Sequence, residues 1–63
     1  MLSTLSNDIL MYRAKNNISQ QEMANRCRVT KQTIFNIEHG LQDPTKLTEA
    51  KVRLVIEGGS NEG

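Results

Sequence analysis

The sequence predicts a single all-α domain of four helices, and three observations predict it. Apolar residues recur at helical spacing in four stretches, as Leu5, Ile9 and Tyr12 do at i, i+4 and i+7. Helix-capping residues stand in front of these stretches: Ser19, Thr30, and Asp43 or Thr45. Residues that tolerate a left-handed backbone, Asn16-Asn17 and Gly40, stand behind them. Sixty-three residues make one domain, which buries only about 60% of its unfolded surface and is therefore marginally stable.

The first helix is expected over about Leu5 to Asn16, capped by Ser3 or Thr4. The second opens on Ser19-Gln20-Gln21-Glu22. This is a capping box, in which the Ser19 hydroxyl accepts from the Glu22 amide and the Glu22 carboxylate reaches back to the Ser19 amide. Ile18 can staple onto Met23, and Met23, Ala24 and Cys27 form a narrow inward face. After a short break at Arg28-Val29, Thr30 caps the third helix through the amide of Gln32 or Thr33. Ile34 and Ile37 point inward, and Gly40 closes the helix after His39.

Leu41-Gln42-Asp43-Pro44 reads as a loop. The fourth helix starts either with Asp43 as cap and Pro44 in the first helical position, or with Thr45 as cap. Its inward face is read as Leu47, Ala50, Leu54 and Val55. Residues 51–56 are rich in β-branched side chains and are open to a terminal strand, but helix is preferred because Leu47, Ala50 and Leu54 need one face to close the core. The domain is assigned to residues 1–57, with a polar, flexible tail at 58–63.

Composition excludes several functions. One Cys and one His fit neither an internal disulfide nor the usual zinc spacings. Cys27, inside an apolar pattern, reads as a small buried hydrophobe in a reduced setting. No apolar run approaches the ~20 residues that span a bilayer, and the start has no secretory signal, so a cytoplasmic location is expected. No nucleophile, base and orienting group come together, and the chain is too short for a deep pocket. An enzyme is not expected, nor a cofactor, metal or small-molecule substrate.

Net charge is only +1, but its distribution is uneven. Between Arg13 and Lys31 stand Arg13, Lys15, Arg26, Arg28 and Lys31 against a single acid, Glu22, whereas Asp43, Glu49, Glu57 and Glu62 lie later. Such an excess suits a phosphate-facing surface as well as an ordinary solvated one. The second and third helices are short and joined by a tight turn, with a small residue, Ala24, near the middle of the first of them. This describes a helix-turn-helix, in which the steep crossing requires a small residue at closest approach. Met23, Cys27, Val29, Ile34 and Ile37 would fill the angle, leaving the opposite face of the third helix free to enter a major groove.

The segments Ser19-Gln20-Gln21-Glu22-Met23-Ala24, Val29-Thr30-Lys31-Gln32-Thr33-Ile34 and Ile37-Glu38-His39-Gly40 resemble the Cro/CI (XRE-type) signature, which runs roughly "LSQEELA…GVSRQTISRIENG". The resemblance covers about Leu5 to Val55. It implies a four-helix domain of the lambda-repressor-like type, here lacking a fifth helix. It implies a sequence-specific regulator of transcription that binds duplex DNA, such as a small phage or mobile-element repressor. It also assigns roles. Thr30, Lys31, Gln32 and Asn36 would face base edges, with Phe35 beside them on a thymine methyl or in a protein contact. Arg13, Ser19, Gln20 and His39 would contact phosphates, and Thr45 and Lys46 could do the same at the start of the fourth helix. Arg13 and Glu38 would form an ion pair joining the first helix to the third.

The chain departs from the signature at the turn, where Arg28 stands in place of the usual Gly. A left-handed conformation there costs Arg about 1 kcal/mol or more, so a rearranged turn is expected. Most relatives bind as symmetric dimers. Leu10, Met11, Val52 and Ile56, read as lying off the core stripes, are the expected contacts of a weak homodimer. The competing reading is a protein-interaction module of the same fold that binds a repressor or toxin, with Phe35 on its working face.

Overall fold

Four helices follow one another along the chain: α1 (Thr4–Asn16), α2 (Gln20–Cys27), α3 (Lys31–Glu38) and α4 (Lys46–Ile56). The computed structural model describes residues 4–58, and among these there is no strand, so residues 51–56 are helical. The tail expected at 58–63 falls, from residue 59 onward, outside the described residues, as does the candidate cap Ser3.

Three helices start in the same way. The hydroxyls of Ser19, Thr30 and Thr45 accept from the amides of Glu22, Thr33 and Thr48 at 3.0, 3.1 and 3.2 Å. Each bond satisfies one of the amides that have no partner inside the helix. Thr45, rather than Asp43 with Pro44, therefore starts α4. The Glu22 carboxylate turns to Arg26 Nε at 3.1 Å rather than back to the Ser19 amide, so the capping box is only half formed.

Three helix ends also share one geometry. Asn17, Arg28 and Gly40 adopt φ of 53°, 60° and 67°. Their amides donate to Ala14, Asn25 and Ile37 carbonyls, and the next residues, Ile18, Val29 and Leu41, donate to Arg13, Ala24 and Asn36 carbonyls at 3.1, 3.0 and 2.9 Å. This is the Schellman closure. The turn at Arg28 is thus not rearranged. Arg28 takes the left-handed conformation itself, because the two carbonyl bonds, the burial of Cys27 before it and the packing of half-buried Val29 after it hold it there.

The core consists of Leu5, Ile9, Met23, Ala24, Cys27, Ile34, Ile37, Val52 and Val55, with Tyr12, Ile18, Val29 and Ile56 packed around it. Ala24 is fully buried in the core, on α2, which packs against α3. Ser6, which the sequence pattern did not mark, is also fully buried and donates its hydroxyl to the Ile37 carbonyl, tying α1 to the end of α3.

The rotation of α4 differs from expectation. Val52 is 0% exposed and Ile56 is half-buried on the core, whereas Leu47 and Leu54 are 67% and 62% exposed and Ala50 is exposed too. α4 carries apolar residues on two opposite faces, so periodicity alone does not choose between them. Arg53 bonds Asp8 of α1 and Glu49 of its own helix, both at 3.3 Å, in the orientation that turns the Val52 face inward. Val52 and Ile56 belong to the domain's own interior and cannot be the expected dimer contacts. Leu10 and Met11 are 38% and 71% exposed.

Candidate nucleic-acid interface

A buried carboxylate ties α3 to its neighbours. Glu38, 4% exposed, accepts from Arg13 through both oxygens, at 3.0 and 2.8 Å, and from Gln20 Nε2 at 2.8 Å. Arg13 also donates through Nε to the Ile18 carbonyl at 3.2 Å. One side chain of α3 is therefore held by α1, by the start of α2 and, through Arg13, by the loop between them. The Arg13–Glu38 pair matches the sequence reading. The Gln20 side chain does not, because its amide turns inward to Glu38 instead of outward. No feature of the sequence alone separates the two orientations, since a Gln at this position suits either.

With Ile34 and Ile37 buried, α3 presents its other face. Thr30, Lys31 and Gln32 are exposed there, Asn36 is half-buried, and Phe35 is 38% exposed. The polar groups are ordered among themselves. Gln32 Nε2 donates to Asn36 Oδ1 at 2.9 Å, and Asn36 Nδ2 donates to Gln42 Oε1 at 3.2 Å. Thr30 and Thr33 hydroxyls lie 2.9 Å apart. Gln42 is a member that sequence reading missed, because it lies in the loop outside every helical pattern. The Phe35 ring rests against the His39 imidazole, with centroids 4.2 Å apart and planes tilted by 36°.

The start of α4 reaches the same surface. Thr33, Asn36 and Gln42 line a shallow cleft of about 120 Å³ with Thr45 and Thr48. Lys46 follows in the first turn, exposed. Arg28, Lys31 and Lys46 are exposed cations that form no ion pair among the described residues. Ser19, exposed at the start of α2, spends its acceptor on the Glu22 amide but keeps a hydroxyl hydrogen to donate. The surface thus offers carboxamides, hydroxyls and unpaired cations, which are the donors and acceptors that base edges and phosphates take.

Among the described residues, no cluster of His, Cys, Asp and Glu could hold a metal ion, and no helix is long and apolar enough to cross a membrane. Burial pushes the Cys27 thiol up to about 11, so it stays protonated and packs as an apolar group.

A family model described as helix-turn-helix matches residues 9–50, two thirds of the chain. No curated protein and no solved structure matches it.

Proposed function

Because the chain belongs to the helix-turn-helix family of XRE/Cro–CI type, whose members are DNA-binding regulators, we propose that it reads a specific duplex sequence by laying the exposed face of α3 in the major groove. The observation that carries this reading is the ordered row Gln32, Asn36 and Gln42 beside Lys31, on a helix whose opposite face is locked into the core. Gln32, oriented by Asn36, keeps its carbonyl oxygen and one amide hydrogen for the paired acceptor and donor of an adenine edge. Lys31 suits guanine O6 and N7. Thr30 and Asn36 stand in reach of neighbouring bases, and the free edge of Phe35 suits a thymine methyl. Phosphates are taken by Ser19 and the main-chain amide of Gln20 at the α2 N-terminus, by Thr45 and Lys46 at the α4 N-terminus, and by His39 and the outer edge of Arg13.

The test is selection of bound duplexes from a random pool at two salt concentrations, followed by affinity measurements on variants. Lys31→Ala and Gln32→Ala should each lose about 1–3 kcal/mol on the best site and relax preference at one position. Lys46→Ala should weaken all duplexes alike and reduce the salt slope by about one. Equal losses on specific and random duplexes for Lys31→Ala and Gln32→Ala would remove α3 from the groove.

A further inference from the structure

α4 carries a second apolar stripe that the described residues leave uncovered. Leu47, Ala50 and Leu54 are all exposed. At roughly 100° per residue they lie within about 60° of one another, and their common direction is about 160° from that of Val52, Val55 and Ile56. The stripe is symmetric along the helix. If a second copy of α4 runs antiparallel about a two-fold axis between Ala50 and Lys51, Leu47 of each copy lies level with Leu54 of the other. The small Ala50 falls beside the axis, where two helices approach most closely.

Charge agrees with this pairing. Lys46 and Glu57, at the two ends of α4, are exposed on the same flank of the stripe and form no ion pair among the described residues. In an antiparallel helix pair like flanks meet. Each Lys46 then comes within about 3 Å, along the axis, of Glu57 of the second copy. Arg53, on that flank too, is already held by Asp8 and Glu49. On the other flank Lys51 stands near its own copy beside the two-fold axis, and this repulsion limits the strength of the pair.

We propose that Leu47, Ala50 and Leu54 form a docking surface for a second copy of this chain, seated through its own α4 in antiparallel orientation. One face of an 11-residue helix is much less than the roughly 800 Å² per partner of a standard interface, so the dimer is weak. The proposal does not depend on the nucleic-acid reading, and its test contains no DNA.

The test is analytical ultracentrifugation of the full chain from micromolar to millimolar concentration, with thermal melting of each variant as the control for folding. The parent self-associates. Leu54→Ser weakens association at least about tenfold without lowering the melting midpoint, because the side chain is exposed. Glu57→Lys weakens it about fivefold, and adding Lys46→Glu restores it to within about twofold, since the ion pairs re-form in the opposite sense. The exchanged charges also suit the helix dipole, so folding is retained. Lys51→Gln strengthens association. A parent that stays monomeric over the whole range overturns the proposal. So does a Leu54→Ser variant that associates like the parent, or a charge-exchanged pair that associates no better than Glu57→Lys alone.

Discussion

Arg13→Met should remove much of the domain's stability, whereas removing Arg13 and Glu38 together should not. The single change keeps most of the apolar stem of residue 13 but leaves the Glu38 carboxylate, whose side chain is 3% exposed, with only the Gln20 amide at 2.8 Å. An uncompensated charge at such a site costs about 3–5 kcal/mol. A domain of 63 residues has roughly 3–9 kcal/mol in all, at about 0.05–0.15 kcal/mol per residue. The variant should therefore be partly unfolded at room temperature. Arg13→Met with Glu38→Leu removes both charges, and the Gln20 amide, itself half-buried, can turn to water. That double variant should lie within about 1 kcal/mol of the parent or above it. Urea titrations followed by circular dichroism on the four proteins give the coupling energy directly. A cost below about 1 kcal/mol for Arg13→Met, or a coupling below about 0.5 kcal/mol, would mean that the pair behaves as a surface pair and does not tie α3 to its neighbours.

Arg28→Gly should raise stability by about 0.5 kcal/mol, read as a shift in the urea midpoint, because relief of the left-handed strain at φ 60° outweighs the added freedom of the unfolded chain; a loss of that size would mean that the Arg28 side chain contributes a contact of its own. The Cys27 thiol, raised by burial to about 11 from 9.0, makes stability full below pH 9 and lost progressively as pH rises from 9 to 11, because the unfolded chain ionises first. The loss should be on the order of 2 kcal/mol and absent from Cys27→Val, and an identical pH profile for the two proteins would place the thiol in solvent.

The fold was legible in the sequence wherever local chemistry decides it. Ser19, Thr30 and Thr45 cap helices because a short hydroxyl in extended backbone reaches an amide three residues on, and this requires no knowledge of the rest of the chain. The inward positions of α2 and α3 were legible because those helices have one apolar face each. α4 was not, because it has two, and the choice depends on how it packs against α1 and α2, distant in the chain, as the Arg53–Asp8 bond across 45 residues illustrates. The same distinction runs through the candidate site. Lys31 and Gln32 follow from the register of α3, whereas Gln42 and the inward turn of Gln20 depend on which chain segments meet. Arg28 shows the reverse error: local cost argued for a different turn, and two carbonyl bonds with neighbours packed in or against the core overrode a penalty of about 1 kcal/mol.

Gln20 separates a structural from a recognition role within one residue. Its side chain bonds Glu38 Oε1, so what Gln20 itself leaves for a phosphate at the α2 start, beside the Ser19 hydroxyl, is its main-chain amide, which has no partner inside the helix. Gln20→Ala deletes a hydrogen bond to a charged group and should cost about 1.5–3 kcal/mol of stability. It leaves the main-chain amide in place. Measured well below the melting midpoint, its affinity for specific and random duplexes should stay within about twofold of the parent. Gln20→Glu is the sharper perturbation, because it sets a second carboxylate where the amide stood, about 3 Å from Glu38. A like charge at that distance raises the folded-state pKa of the introduced carboxyl above its unfolded value. Relative to the parent, the variant's stability should therefore be least impaired at low pH, where the introduced carboxyl is protonated, and fall as pH rises through the raised value. Urea midpoints of parent and variant from pH 4 to pH 8 read this directly. If Gln20→Ala keeps parental stability but loses affinity on every duplex, the side chain faces the phosphate after all, and Arg13 alone holds Glu38.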